Sequence, residues 1–283
     1  MDLNCRHDSG RLDNCYAAIT RLSHERRVLG LMCMAWIEID KVSVEFPIIT
    51  GRTVSLKRSL LAIVRASRDA DQARTITALH GLSFSIKNGD RVGIVGLNGS
   101  GKSTLLRLLA GIYEPTLGEV RISGRVNALV DLALGLDPEA TGYENIALRG
   151  YALGMSVRSM RDLTPEVAAF TELGDRLNDP IRTYSAGMVL RLAFATSLMC
   201  PHDILLLDEI IGVGDAAFLA KARSWLTSVV EHSRVVVLAS HALDLIETIC
   251  NKAIYLRGGQ VVAYGAVEET IALYQRDLAS PPA

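Results

Sequence analysis

The chain has 283 residues, with 30 Lys and Arg against 31 Asp and Glu and a formal net charge of −1. At about 100–200 residues per domain this suits one large domain or two modest ones. With 49% hydrophobic and 22% charged residues, it excludes disorder, collagen-like repeats and a chain-wide electrostatic affinity for nucleic acid.

No apolar run approaches the ~20 residues needed to span a bilayer. Five cysteines stand at 5, 15, 33, 200 and 250 with no C-x-x-C spacing, which argues against a disulfide framework and a zinc site and for a reducing cytoplasm. Residues 1–33 show no sustained period and are expected to be a poorly ordered extension. Met32 and Met34 leave open whether that stretch is an upstream reading-frame extension or a true N-terminal arm.

Trp36 to Phe46 alternates apolar and polar residues, as a half-buried strand does, and Pro47 ends it. Residues 56–68 place Leu56, Leu60, Ile63 and Val64 on one helical face, with Lys57, Arg58, Arg65 and Arg68 mostly off it. That reads as a short basic amphipathic helix within a loop. Further strands are predicted at 82–86, 91–95, 119–122, 127–130, 204–207, 235–239, 253–256 and 260–263. Helices are predicted between them at 103–109, 144–153, 165–173, 186–199, 217–230, 243–250 and 267–276. Strands alternating with helices imply an α/β fold with a mostly parallel sheet.

The strand at 91–95 runs into Gly96-Leu97-Asn98-Gly99-Ser100-Gly101-Lys102-Ser103, a G-x-x-x-x-G-K-[ST] loop, and Thr104 opens an apolar helix. Glycines let successive amides turn inward toward phosphate oxygens, and the helix N-terminus adds its dipole. Lys102 would neutralise the β- and γ-phosphates of ATP, and Ser103 would ligate Mg2+. At average residue frequencies the pattern arises by chance in roughly one such chain in a hundred, so a strand before it and a helix after it mark a nucleotide site.

A phosphate loop alone does not separate kinases, GTPases and motors. The run Ile204-Leu205-Leu206-Leu207-Asp208-Glu209 delivers two carboxylates at the end of an apolar strand, where ligands sit in open α/β sheets. Asp208 would hold the Mg2+ shell, and Glu209 would polarise the attacking water as general base. Tyr184-Ser185-Ala186-Gly187-Met188 opens another apolar helix upstream.

At this point the chain resembles the ATP-binding subunits of ABC transporters. In that family a signature loop, usually Leu-Ser-Gly-Gly-Gln, occupies this place and contacts the γ-phosphate held by the opposite protomer. The resemblance assigns Ser185 and Gly187 to it, with Ala186 and Met188 as departures. Asp215 follows Glu209 by six residues, as the family's D-loop aspartate does. His241, after the strand 235–239, matches the switch histidine at the γ-phosphate. The family's Q-loop glutamine has Asp131 in its place; the shorter carboxylate can bind Mg2+ but cannot donate as an amide does. Phe46 is the candidate adenine-stacking aromatic, against the alternative that it only packs its strand.

The resemblance spans about residues 36–276 and implies the ABC form of the P-loop NTPase fold: a mostly parallel core sheet, an antiparallel β subdomain and a helical subdomain at about 132–183. Residues 34–276 form the nucleotide-binding domain and 277–283 a tail. The passages 42–47, 135–146, 184–188 and 213–215 narrow the resemblance toward exporters of polysaccharide such as O-antigen, capsule or teichoic acid. The implied partners are an integral-membrane permease, a second ATPase subunit and a lipid-linked glycan, at the cytoplasmic face of the inner membrane. Two rival classes are a soluble ABC ATPase acting on nucleic acid or ribosomes, and a regulatory module without turnover. The first usually carries a long coiled coil or a tandem ATPase; the second would be expected to lose the carboxylate at Glu209.

Overall fold

A computed structural model describes residues 34–48, 75–130, 135–208, 218 and 226–279. The expectations for residues 1–33, the basic helix at 56–68, Asp131, Glu209 and Asp215 lie outside these residues.

Two sheets carry the architecture. The smaller is antiparallel and orders β1 (Trp36–Pro47) between β2 (Thr75–Ile86) and β4 (Leu117–Ser123). Along β1 the buried side chains are Ile37 and Ile39, then Val42 and Val44, so the alternation changes phase once. Lys41 causes the change: its φ of 50° turns the strand, and its amide donates to Ser83 Oγ at 2.9 Å. Strand β2 starts seven residues before the predicted position 82. The apolar alternation is interrupted at Gly81, whose φ is 56° and whose amide donates to Ser43 Oγ at 2.9 Å. Val42 pairs with Leu82 and Val44 with Leu79, so one extra residue bulges there and the ladder continues beyond it.

The larger sheet has six strands in the order β5-β6-β7-β3-β8-β9. They are β3 (Arg91–Val95), β5 (Val126–Leu129), β6 (Ile204–Asp208), β7 (Val235–Ala239), β8 (Lys252–Arg257) and β9 (Gln260–Ala266). All neighbours pair in parallel except β8 with β9. The central strands read as unbroken apolar runs because both faces are covered. Leu205, Leu207, Val236 and Leu238 join the core on one face, and Ile204, Leu206, Val235 and Val237 the core on the other.

Helix α1 (Lys102–Leu109) contributes Leu105, Leu106, Leu108 and Leu109 to the second of these cores. Helices α2 (Gly142–Ala152), α3 (Val157–Thr171) and α4 (Ala186–Met199) build the first, with a segment of helix at 226–232, α5 (Leu243–Ile249) and α6 (Val267–Ala279). Helix α3 begins well before the predicted start at Pro165. Proline favours a first turn, but here Ser156 caps the helix by accepting from Ser159 N, and Pro165 lies within it. Apolar spacing at Met160, Leu163, Val167 and Phe170 outweighs the one lost backbone bond. Helix α6 continues to Ala279, three residues past its predicted end; Asp277 in that last stretch accepts from Arg257 Nη1 at 2.9 Å.

Candidate functional site

Strands β3, β6, β7 and β8 run parallel, so their carboxyl ends emerge at one end of the sheet. A cleft of about 410 Å³ opens there. It gathers Asn98, Gly99, Gly101, Lys102, Ser103 and Thr104 with Asp208 from the end of β6 and Ser240 and His241 from just beyond β7. Residues separated by more than a hundred positions thus share one cleft. A second hollow of similar size, about 420 Å³, lies at the opposite end of the sheet among Asn88, Arg91, Glu231, Arg234 and Asn251. It receives no phosphate loop and no strand carboxyl end, so its size carries no functional weight.

The loop is shaped for phosphate. Gly101 stands at φ 105°, directly before α1, and no side chain caps the helix. The first amides of α1 therefore stay available to an anion, and the helix dipole favours negative charge at that point. Lys102 Nζ donates to the carbonyls of Gly96 at 2.8 Å and Leu97 at 3.1 Å, which holds the ammonium against the loop. Gly96 is packed so that a Cβ would meet Leu256 O at 2.3 Å and Ser100 Oγ at 2.6 Å. Ser100 itself is buried, and its Oγ has no hydrogen-bond partner among the described residues. Leu97 is exposed.

Ser103 and Asp208 supply a hydroxyl and a carboxylate to the same cleft. Among the described residues no cluster of three or more His, Cys, Asp and Glu side chains could hold a metal by itself. That donor set fits Mg2+, which binds through one or two protein oxygens together with substrate phosphates. Glu209 directly follows Asp208 in sequence.

Several cleft residues were not singled out from sequence. Ile76, Thr77 and Ala78 from β2, Ser240, and the turn Gly258-Gly259 between β8 and β9 complete the wall. The glycine pair did carry a signal: two glycines between alternating runs mark a two-residue hairpin, and their φ values are 55° and 77°. The β2 residues carried none, because the bulge at Gly81 hides their strand. Phe46 stands opposite Ile76 in the β1–β2 ladder, with its ring edge-on to Tyr113 at 5.1 Å.

Ser185 and Gly187 are not among the residues that line this cleft. Ser185 is the exposed N-cap of α4 and accepts from Met188 N at 3.3 Å. Just before it, Tyr184 Oη donates to Arg176 O at 2.5 Å, and the Arg176 guanidinium lies over the Tyr184 ring at 5.9 Å. Gly187 has an ordinary φ, and a Cβ there would meet only Ser185 Oγ at 3.9 Å. Nothing among the described residues requires glycine at that position.

The family profile described as ABC transporter matches residues 79–212. The chain is 42% identical over 231 residues to the O-antigen export system ATP-binding protein RfbE of Yersinia enterocolitica, covering 81% of this chain and 97% of that protein. It is also 42% identical over 227 residues to the O-antigen export system ATP-binding protein RfbB of Myxococcus xanthus, covering 80% of this chain but only 52% of the relative. A teichoic acids export ATP-binding protein of Bacillus anthracis is 40% identical over 201 residues, 71% of this chain and 36% of its own length. The chain therefore spans about half or less of some relatives it matches. Among solved structures, a dimeric ATP-binding cassette in a post-hydrolysis state, bound to ADP and Pi, aligns with a TM-score of 0.60 at 23% identity over 82% of this chain and 98% of that one. That likeness establishes the fold, and with the 42% identity across nearly the whole Yersinia relative it places the chain in the ABC transporter family, among its ATP-binding proteins.

Proposed function

We propose that the chain binds and hydrolyses ATP as one of two nucleotide-binding subunits that drive a lipid-linked polysaccharide, of the O-antigen or capsule type, through a separate integral-membrane permease. Residues 34–276 are taken as the nucleotide-binding domain. The phosphate loop, Ser103 and Asp208 would hold ATP and Mg2+, Glu209 would accept a proton from the attacking water, and His241 would meet the γ-phosphate. Asp131 is a further candidate Mg2+ contact. No described helix is long and apolar enough to cross a membrane; the export-system names of the relatives support a peripheral subunit at the cytoplasmic face of the inner membrane.

One observation carries the two-subunit reading. Ser185 and Gly187 lie apart from the cleft that holds the phosphate loop, yet the glycine surface beside Ser185 is open. A second copy whose bound ATP packs against that surface would explain both. The polysaccharide substrate is supported by the O-antigen and teichoic acid names of the relatives.

The test pairs two variants. Glu209→Gln should bind ATP normally and hydrolyse it slowly, since the amide keeps the shape and loses the base. Ser185→Arg should bind ATP and lose hydrolysis, because bulk and charge would occupy the shared phosphate position. Wild-type phosphate release by Ser185→Arg, measured with the membrane partner, would reject the composite site.

A further inference from the structure

Outside the nucleotide cleft, Asn145, in the first turn of α2, is a buried polar side chain bonded at both ends of its amide. It is fully buried, at 0% exposure. Its Oδ1 accepts from Asp137 N at 2.8 Å. Its Nδ2 faces three carbonyls, Asp137 O at 3.0 Å, Ala140 O at 3.1 Å and Thr141 O at 2.9 Å. An amide has two N–H bonds, so both donors and the oxygen of this side chain are engaged by one surface loop.

That loop, residues 135–141, is otherwise mostly exposed. Its far side is joined by backbone bonds to the segment that leads into Ser185. Ile181 N donates to Ala140 O at 3.0 Å, Arg182 N to Pro138 O at 3.0 Å, and Gly142 N to Asp179 O at 3.3 Å. Thr141 and Pro180 form a β-bridge, and Arg182 pairs with Glu139 at 3.1 Å. From Arg182 the chain has only Thr183 and Tyr184 to cross before Ser185.

We infer that Asn145 is a positioning residue that fixes the loop 135–141, and with it the hydrogen-bonded bridge to residues 179–182 that sets the Ser185 surface offered to the partner copy. The inference deepens the two-subunit reading and depends on it. A buried amide suits this role because its bonds run to backbone groups only, so the loop's shape is held whatever its exposed side chains do. Loss of the amide leaves ATP binding in the cleft intact and misplaces Ser185. Assembly fails while the isolated site still fills.

The experiment uses the full chain in a Glu209→Gln background, with ATP-dependent dimer formation read by sedimentation and ATP affinity by titration. Glu209→Gln alone should dimerise with Mg-ATP. Adding Asn145→Ala should raise the ATP concentration or protein concentration needed for dimerisation at least tenfold, with ATP affinity of the monomer changed less than twofold. Equal dimerisation with and without Asn145→Ala overturns the inference and leaves the two-subunit reading standing. If Glu209→Gln alone stays monomeric at saturating ATP, both are overturned. Should Asn145→Ala not fold, Arg182→Glu, on the exposed end of the same bridge, takes its place, with Glu139→Arg as the compensating change. Assembly weakened by Arg182→Glu and recovered by the pair supports the bridge; assembly indifferent to both overturns it.

Discussion

The amide of Gly259 donates to the carbonyl of Ser100 at 3.0 Å, while its own carbonyl accepts from His80 N at 2.8 Å. One residue at the tip of the β8–β9 hairpin thereby ties the phosphate loop to β2. The contact is tight: a Cβ on Gly259 would sit 2.5 Å from Ala78 O and 2.9 Å from His80 Cδ2, and φ is already 77°.

Gly259→Ala should therefore cost more than its neighbour does. Gly258, at φ 55°, has nothing within 4 Å of its Cβ position, so Gly258→Ala should cost about 1–2 kcal/mol for the left-handed backbone alone. Gly259→Ala adds a backbone clash and should weaken ATP binding as well, since the loop's carbonyl anchor moves. Urea unfolding and ATP titration of the two variants check this. Equal effects would show that the hairpin does not brace the loop.

Lys102→Ala removes the one lysine or arginine among the described residues that line the cleft, where Nζ already spans the carbonyls of Gly96 and Leu97. Hydrogen bonds to charged groups contribute about 1.5–3 kcal/mol, so ATP affinity should fall roughly 10- to 150-fold. ATP titration gives the magnitude, and circular dichroism should show an unchanged fold.

Arg149 is buried at 9% exposure, and its Nε donates to Ser197 Oγ at 2.6 Å. Burial lowers its pKa from the ordinary guanidinium value. Ser197 Oγ also donates to Ala193 O at 2.9 Å, so it keeps a partner without Arg149. Arg149→Met, which retains the packed stem, should then cost under about 1.5 kcal/mol, and Arg149→Ala about 2–5 kcal/mol through the cavity it leaves. Urea unfolding orders the two; the reverse order would make the charge, and not the stem, the source of stability.

Cys200 and Cys250 are both buried, and burial pushes each thiol up from 9.0 to about 12. Neither should be alkylated by iodoacetamide at pH 8 in the native protein, since the thiolate is the nucleophile. The sign for stability follows from linkage. Between pH 9 and 12 the unfolded chain has released protons that the folded chain retains, so stability falls as pH rises through that window. Mass spectrometry of native and urea-unfolded protein reads the first effect, and unfolding at pH 8 and pH 10 the second.

The sequence made the strongest elements legible because local and tertiary signals agree in them. Strands β3 and β7 and helix α4 begin and end where their apolar runs do, and Gly96 to Thr104 announces its own geometry. What escaped was set by contacts between distant segments. The early part of β2 is a strand because β1 pairs with it through a bulge, and Ile76, Thr77 and Ala78 reach the cleft only through that pairing. Asn145 reads as an ordinary residue near a helix start; its role depends on how the loop before it folds back. Pro165 misled for a local reason, since a proline's preference for a first turn was outweighed by the apolar face of α3.

Phe46 offers the last test, because its two readings predict different measurements. It pairs with Ile76, an exposed side chain in the cleft wall, and its ring is edge-on to Tyr113 at 5.1 Å and 73°. If the ring also receives the adenine, Phe46→Ala should lower ATP affinity by about 1–3 kcal/mol, the magnitude of base–aromatic stacking, and Phe46→Trp should retain it. Binding of inorganic tripolyphosphate should be untouched in both, because the phosphate loop is unaltered. The informative quantity is therefore the ratio of ATP to tripolyphosphate affinity, which a general loss of stability does not move. Loss of the aromatic pair with Tyr113 should separately cost about 0.5–1.5 kcal/mol in urea unfolding. A fall in that stability with an unchanged affinity ratio would assign Phe46 to packing its strand and leave the adenine to Ile76.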